Sequence, residues 1–355
     1  MRYTWPVSTH SAQPRTVRGE TEAIYAALSA GALGAILGIV ATIGMGLEFW
    51  GWPSAGAFAS FAAAGVAVAS SATAYARSSR VSGQEWRKTL PLWRIIVNTI
   101  AVTVVHAALA ALAIALVYLV LGLGFVGVVL RPFGGGILGA VSIGLVAYLT
   151  YLSASRMTTQ RLSSLLVSFV ALGTLSAMAT SPEQDWWRYH FSELGTFGTF
   201  SSFAFNGTLI AGGLLVTTFA TYVQSDMTAL VVADRLRSRR GPGVVAVLFA
   251  IMGVMLAMVG IVPLNVNEPI HNLSASGMAL MFFALLGSSP WLLRGLPRAF
   301  FLSTAAIAIA FVGSIVLFLT GYFNLTAFEI AVFALIFGWI AIFIRFLTAT
   351  AERSE

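Results

Sequence analysis

The sequence contains no cysteine and little charge. The absence of cysteine among 355 residues excludes disulfide bonds, thiolate catalysis and cysteine-ligated metal sites. Charged residues make up 9% of the chain, whereas an ordinary soluble domain contains about 25%. Hydrophobic residues make up 58%. This composition excludes an ordinary soluble globule and indicates that lipid is the solvent for most of the protein surface.

Long apolar runs are present instead. In a bilayer only helices and closed barrels satisfy the backbone, and runs of about 20 residues without alternation are typical of helices. We therefore predict an all-α, polytopic integral membrane protein with about ten transmembrane helices. The predicted spans are Ile24–Leu47, Ala55–Ala76, Ile95–Leu121, Gly135–Ser153, Leu162–Thr180, Phe203–Val223, Gly243–Val262, Leu273–Leu293, Ala299–Leu319 and Thr326–Phe346.

The distribution of basic residues predicts the orientation. With the N-terminus in the cytoplasm, alternation of the loops places 18 of the 20 lysine and arginine residues on the cytoplasmic side, leaving Arg131 and Arg188 outside. Both termini are therefore predicted to be cytoplasmic, as a polar tail at residues 1–22 and a short tail at 347–355, and the protein to lie in the plasma membrane. Membrane lipids, and not nucleic acid, are the predicted partners.

The densest polar and aromatic cluster lies in the predicted external loop 181–202, and a second polar loop, 260–274, follows helix seven. Both loops fall on the same predicted side, and Asn206 lies near the start of helix six, where its amide needs a partner. We expect these groups to converge on one outward-facing pocket. The candidate pocket residues are Asp185, Trp186, Trp187, Arg188, His190, Ser192, Glu193, Asn206, Glu268 and His271.

Three interpretations of this cluster stay open. In the first, the aromatic residues form an interfacial belt and the polar residues cap helices. In the second, the cluster binds a lipid headgroup or another amphiphile, with Arg188 on a phosphate. In the third, it is catalytic. His190 and Glu193, with His271 and a carboxylate, could ligate a metal, or Ser192 and His271 could act as nucleophile and base.

Neither catalytic spacing is specific. The sequence has no HExxH motif and no GxSxG motif, which are the patterns that would identify a zinc or serine hydrolase. We therefore predict no cofactor and no metal, and leave enzyme activity open. An ATP-driven pump is excluded because the chain has no P-loop.

Four arginines follow an apolar stretch after helix six: Arg235, Arg237, Arg239 and Arg240. This pattern suits an extension of helix six whose end contacts anionic lipid headgroups. A charge cluster that only sets the topology is the alternative interpretation.

Two features lie within the predicted spans. His106, in helix three, is a functional candidate because ionisable residues are rare in membranes, but a neutral histidine that donates to a backbone carbonyl is the interpretation we favour. Gly34 and Gly38 form a small-xxx-small pair in helix one. Packing within the chain is favoured over a dimer interface, and oligomerisation is left open.

The two polar loops also carry a family resemblance. The run from Trp186 to Gly195, followed by Asn206, and the segments Gly260–Pro263 and His271–Ala275 resemble a bacterial membrane family catalogued as domain of unknown function 998. The resemblance implies a six-helix unit, and a distant kinship with Frag-, DRAM- and Sfk-type membrane proteins. It singles out Ser192, Gly195, Asn206, Pro263 and His271, and it implies no activity.

The resemblance divides the chain into a four-helix transmembrane unit at residues 23–156 and a six-helix transmembrane unit at 157–346. The leading functional prediction is a membrane protein that binds or handles a lipid or amphiphile at an outward-facing pocket. A secondary transporter is one alternative, although the halves show no similarity. An intramembrane hydrolase or metal-dependent enzyme at the same cluster is the other.

The predicted topology can be tested with reporter fusions. Fusions after Arg80, Arg161, Arg239 and Arg298 should report a cytoplasmic position, because these residues follow the positive-inside rule. Fusions near Glu183 and Asn267 should report the exterior. One internal loop on the opposite side would contradict the ten-span arrangement.

Overall fold

The computed structural model describes residues 15–44, 46–81 and 83–352, and within these ranges the chain is almost entirely helical. Ten helices are long and apolar enough to cross a membrane. The prediction of an all-α polytopic membrane protein is therefore confirmed. The helices are α1 Arg15–Thr42, α2 Ala55–Ser78, α3 Leu92–Gly124, α4 Pro132–Ser155, α5 Thr159–Ala179, α6 Phe200–Val232, α7 Gly241–Ile261, α8 Glu268–Leu292, α9 Arg298–Leu319 and α10 Leu325–Glu352.

Short elements join some of these helices. Strand β1, Leu47–Glu48, pairs antiparallel with β2, Val129–Leu130. Because Leu47 belongs to this strand, the first helix cannot extend to Leu47 as predicted, and it ends at Thr42. Gly44 and Gly46 have φ values of +92° and +71°, a left-handed conformation that ends a helix. Three 3₁₀ helices cover Glu85–Thr89, Trp186–Arg188 and Phe191–Gly195.

Part of the predicted N-terminal tail, residues 1–22, belongs to the first helix. Residues 1–14 lie outside the described residues, but α1 already begins at Arg15. Glu20 accepts hydrogen bonds from Tyr148 of α4 (2.8 Å) and from Arg156, which directly follows α4 (2.9 Å), and Glu22 accepts one from Tyr151 of α4 (2.6 Å). These contacts explain why the helix starts earlier than hydropathy indicates.

At the other end of the chain, α10 also extends beyond its predicted limit. The helix continues to Glu352, so residues 347–352 of the predicted C-terminal tail are helical, and residues 353–355 lie outside the described residues. The carbonyl of Phe346 accepts a hydrogen bond from the Thr350 hydroxyl at 2.7 Å inside this extension. The predicted end was too early because hydropathy detects the apolar part of a helix but not the polar turns at its end.

The chain divides into two compact units. Unit 1 contains residues up to Thr89 and Val102–Met157. Its helices α1 and α4 meet at glycines: a Cβ on Gly34 would lie 2.3 Å from the Gly139 carbonyl oxygen, and one on Gly38 would lie 2.1 Å from that of Gly135. The small-xxx-small pair of helix one therefore serves packing within the chain.

Unit 2 contains Leu90–Ala101, which includes the first turns of α3, and Thr158–Glu355. Helix α6 packs on α5, α7 and α10. Gly213 and Gly253 let α6 and α7 approach closely, since a Cβ on Gly213 would lie 2.4 Å from the Gly253 carbonyl oxygen. The core is aromatic: Trp339 stacks on Phe343 with ring centroids 5.2 Å apart, and its indole N–H donates to Thr304 at 3.1 Å.

Two glycines of α6 allow a matched test of this packing. We expect Gly213→Ala to destabilise the protein by about 1–3 kcal/mol, because the new methyl group overpacks the α6–α7 contact. Gly207→Ala is the control. Nothing lies within 4 Å of a Cβ at that position, so the change should be neutral or stabilising.

The measurement is the thermal unfolding midpoint of each purified variant in detergent. A lower midpoint for Gly213→Ala alone is the expected result. Equal midpoints for the two variants would contradict the close approach of α6 and α7.

Candidate functional site at the start of α6

The residues between α5 and α6 fold over one end of unit 2. We call residues 186–195, which include two of the 3₁₀ helices, the cap. Phe191, Leu194 and Gly195 of the cap are buried, whereas Trp187 and Tyr189 are exposed. The buried side chains fix the cap to the helices beneath it, and polar contacts with α6 and with the start of α10 position it further.

Helix α10 provides one set of contacts. The Glu329 carboxylate accepts a hydrogen bond from the backbone N–H of Phe191 at 2.6 Å. This N–H is the first of a 3₁₀ helix and therefore has no partner within that helix. The side-chain amide of Asn324 donates to the Trp187 carbonyl at 2.8 Å. The start of α10 thus holds both short helices of the cap.

Helix α6 provides the second set. The Asn206 side-chain amide donates to the Gly195 carbonyl at 2.9 Å, which gives this membrane-embedded amide a partner. A Cβ at position 195 would lie 2.5 Å from the Asn206 Oδ1 atom. Only glycine therefore permits this approach. The sequence predicted that Asn206 needs a partner, and the cap backbone supplies it.

An aromatic contact anchors the middle of the cap. The ring of Phe191 meets Phe205 of α6 edge-on at a centroid distance of 5.2 Å and Phe333 of α10 at 5.9 Å. Edge-to-face aromatic pairs of this kind contribute about 0.5–1.5 kcal/mol beyond area burial. The ring of Phe191 therefore contacts both α6 and α10, and its backbone N–H adds the hydrogen bond to Glu329 of α10.

The loop between α7 and α8 reaches the residue that follows the cap. Asn265 donates its side-chain amide to the Thr196 carbonyl at 3.3 Å. His271 lies in the first turn of α8, is 3% exposed, and contacts the Val262 carbonyl through Nδ1 at 2.9 Å. A carbonyl only accepts hydrogen bonds, so Nδ1 carries the proton and Nε2 has a free lone pair.

Neither the His271 Nε2 atom nor the Ser192 hydroxyl has a hydrogen-bond partner in the part of the chain that the structure describes. Ser192 lies in the cap and is 8% exposed. The two groups do not bond to each other, so the predicted nucleophile and base are not assembled as a pair. Both groups keep some accessible surface and could be satisfied by a ligand, whereas the His190 Nδ1 atom is fully buried and has no partner among the described residues.

His190 and Glu193 form the predicted pair three residues apart. The His190 Nε2 atom lies 3.1 Å from a Glu193 carboxylate oxygen. Burial lowers the pKa of the His190 imidazole below its usual value, while the carboxylates of Glu193 and Glu268 oppose the shift. The neighbouring His271 imidazole acts on this pKa in the same direction as burial. The two histidines and two carboxylates are therefore close enough to influence one another.

The other predicted residues lie at the surface of this end. Arg188 pairs with Asp185 at 3.4 Å and its guanidinium lies 5.4 Å from the Trp187 ring. The Arg188 side chain is 61% exposed, so this ion pair contributes little to stability. Trp186 packs against Phe191 at a centroid distance of 6.1 Å. Arg188 is thus occupied by a neighbouring carboxylate.

The metal-site interpretation finds no support in the geometry. Across residues 15–44, 46–81 and 83–352, no group of three or more histidine and carboxylate side chains is close enough to hold a metal ion. The cluster is better described as a set of hydrogen-bonding groups.

Glu329, Asn324 and Asn265 are functional-site residues that sequence reasoning missed. Asn265 and Asn324 lie outside the predicted spans and Glu329 lies in the first turn of the tenth, so each looks like an interfacial residue when the sequence is read alone. Glu329 and Phe191 are 138 residues apart in the chain. The only available signal was the predicted position of these residues on the same side of the membrane as the cap.

Two features of unit 1 are separate from this site. His106 contacts the Val102 carbonyl through Nδ1 at 2.7 Å and Ser153 through Nε2 at 2.9 Å, so both of its nitrogens are satisfied and the favoured structural interpretation holds. A small, partly open apolar cavity of about 40 Å³ lies between α1, α2 and α4, and Gly34, Phe58 and Gly139 are among its lining residues.

The fold and the cap define a polytopic α-helical membrane protein with a polar cluster at one end of its second unit. The chain belongs to the family described as "Protein of unknown function (DUF998)", whose sequence profile matches residues 164–345, from α5 to α10. This confirms the resemblance inferred from the two loops. No curated protein and no solved structure matches the chain. The kinship with Frag-, DRAM- and Sfk-type proteins stays a prediction.

The electrostatics of the cap can be tested by titrating His190. In the wild type its pKa should lie below about 6.5, because burial disfavours the imidazolium. Glu193→Gln should lower this pKa further, since the carboxylate stabilises the charged form. The proton bound by His190 would then be lost at a lower pH in the variant than in the wild type.

The measurement is histidine NMR against pH, with His190→Gln to assign the signal. Glu183→Gln, in the exposed part of the same loop, is the control and should leave the titration unchanged. A pKa that stays constant or rises in Glu193→Gln would contradict the His190–Glu193 pair.

Proposed function

We propose that this protein binds a lipid or similar amphiphile at the cap, with the headgroup at the polar cluster and the acyl chains along the neighbouring helices. The proposal rests on three polar groups of this cluster that have no hydrogen-bond partner among the described residues: the Ser192 hydroxyl and the His271 Nε2 atom, which keep some accessible surface, and the fully buried His190 Nδ1 atom. Leaving a buried polar group unsatisfied costs about 1–3 kcal/mol, so a ligand that satisfies these groups is favoured.

The surroundings suit a molecule with one polar and one apolar part. Trp187, Tyr189, Phe203 and Leu273 are exposed near the cluster, and aromatic rings of this kind favour the headgroup region of a bilayer. The polar groups lie beside this apolar surface. A headgroup at the cluster therefore leaves its chains next to residues that are already compatible with lipid.

The chemistry of the free groups favours a headgroup that donates hydrogen bonds. The His271 Nε2 lone pair can only accept, and the Ser192 hydroxyl can donate or accept. The nearby carboxylates of Glu193 and Glu268 favour positive charge. Together these groups suit an ammonium group, such as that of an ethanolamine headgroup, better than a bare phosphate.

The two alternatives receive less support. The carboxylates of unit 2 lie in loops or within about two turns of a helix end, whereas an ion-coupled transporter usually binds near the middle of the membrane. Hydrolase chemistry needs a nucleophile within hydrogen-bond reach of its base, and Ser192 does not bond to His271 in the described structure. Binding without a chemical step needs neither arrangement.

Photocrosslinking tests the proposal. The protein is placed in nanodiscs with phosphatidylethanolamine or phosphatidylcholine that carries the same photoreactive acyl chain. Choline has no N–H donor, so the ethanolamine lipid should label the cap and residues 262–275 several-fold more strongly. Ser192→Ala should reduce this labelling by about 2- to 10-fold, the equivalent of one hydrogen bond.

Ser303→Ala is the matched control, because Ser303 lies partly buried on α9, outside the cap, and its hydroxyl bonds only to the Ala299 carbonyl. It should leave the labelling of the cap unchanged. Equal labelling by the two lipids, spread along the helices and unaffected by Ser192→Ala, would contradict a headgroup site at the cap.

A further inference from the structure

The other end of unit 2 brings two arginine-rich loops together. One loop, Ala233–Arg240, joins α6 to α7, and the other, Leu293–Pro297, joins α8 to α9. The backbone N–H of Arg237 donates to the Arg294 carbonyl at 2.9 Å. The two loops are therefore joined through their backbones, although sequence reasoning considered only the first of them.

A glycine makes this contact close. Gly295 has a φ of +123°, and a Cβ at this position would lie 2.1 Å from the Arg235 carbonyl oxygen. Any other residue would be strained and would push the loops apart. A second close approach, between Gly241 and the Leu292 carbonyl, lies at the adjoining helix ends.

Buried leucines hold both loops in place. Leu236 of the first loop is buried, as are Leu293 and Leu296 of the second. The backbone N–H of Leu236 also bonds to the Leu230 carbonyl at 3.2 Å. The arginines that flank these leucines therefore extend from a fixed backbone and not from two independent flexible loops.

Six arginines share this surface, and none forms an ion pair with any residue in the described ranges. They are Arg235, Arg237, Arg239, Arg240, Arg294 and Arg298. All are exposed except Arg235, which is partly buried. Asp234 is the one carboxylate in these two loops and forms no ion pair with a described residue, so most of the repulsion between the six arginines is left for an external anion to compensate. Setting topology requires such charges in each loop, but it does not require the two loops to be joined.

The depth of this surface matches the lipid headgroups. Helices α7, α8 and α9 have 21, 25 and 22 residues, close to the roughly 20 that span a bilayer core, so their ends lie at its edge. Trp291 is exposed at the end of α8, directly before this loop. Tryptophan favours the membrane interface, which places the nearby arginines among headgroup phosphates.

We propose that these two loops form one site for the phosphate of an anionic lipid headgroup, bound by arginines from both loops. Planar guanidinium groups bind phosphate through paired hydrogen bonds, and two of them from separate loops can hold one phosphate between them. This site is independent of the cap and does not rest on the function proposed there. It lies on the side that the sequence predicts to be cytoplasmic.

A double-mutant cycle across the two loops tests the proposal. Binding of phosphatidylglycerol to the full-length protein is measured by native mass spectrometry and in nanodiscs of phosphatidylcholine with increasing phosphatidylglycerol. Arg237→Gln and Arg294→Gln should each weaken binding by roughly fivefold or more. The double variant should be little weaker than the stronger single variant, because both residues bind the same phosphate. Independent, multiplicative losses, or no loss, would overturn the shared site.

Two further arms complete the test. Gly295→Ala keeps all six arginines but separates the loops, and should weaken lipid binding as Arg294→Gln does. If this variant fails to fold, the arginine cycle decides alone. Arg161→Gln, an exposed arginine outside both loops, is the control and should bind normally.

Inorganic phosphate, titrated into protein in phosphatidylcholine nanodiscs, should show no saturable binding. Saturable binding that Arg237→Gln abolishes would overturn the lipid as ligand.

Discussion

The structure depends on one constraint: within hydrocarbon, a polar group must find its partner inside the protein. The backbone meets this requirement by forming helices. The ends of helices and the short elements between them cannot, and side chains complete them. Glu329 binds the free N–H of Phe191, and Asn206 binds the Gly195 carbonyl. Side chains of α6 and α10 thus supply the hydrogen-bond partners that lipid cannot give to the backbone of the cap.

The same constraint makes the exceptions informative. Most buried polar side chains in unit 2 bond to a backbone carbonyl one turn earlier, as Thr208 does with Ala204. Ser192 and the Nε2 atom of His271 do not, although both residues are almost fully buried. The fully buried His190 Nδ1 atom of the same cluster also has no partner among the described residues, so three unpaired polar groups meet at the cap, and these groups carry the proposed headgroup site. The six arginines at the opposite end of unit 2 are a similar case, because they are charged groups without an ion-pair partner among the described residues.

Much of the fold could be predicted because hydropathy reports directly on membrane spans. The ten helices and the need of Asn206 for a partner follow from composition and position. The contact between Glu329 and Phe191 could not be predicted, because it depends on how α10 packs against a loop far away in the chain. The early start of α1 depends likewise on partners in α4. The joining of the arginine loops depends on Gly295, whose role appears only once its neighbour is known.

The most direct test of a headgroup site at the cap is an electron cryomicroscopy map of the protein in nanodiscs that contain phosphatidylethanolamine. The account predicts headgroup density in contact with the Ser192 hydroxyl and His271 Nε2, and acyl-chain density that continues along the adjacent helices. A map in which water fills this position, or in which lipid headgroups lie elsewhere around the unit and avoid the cap, would contradict it.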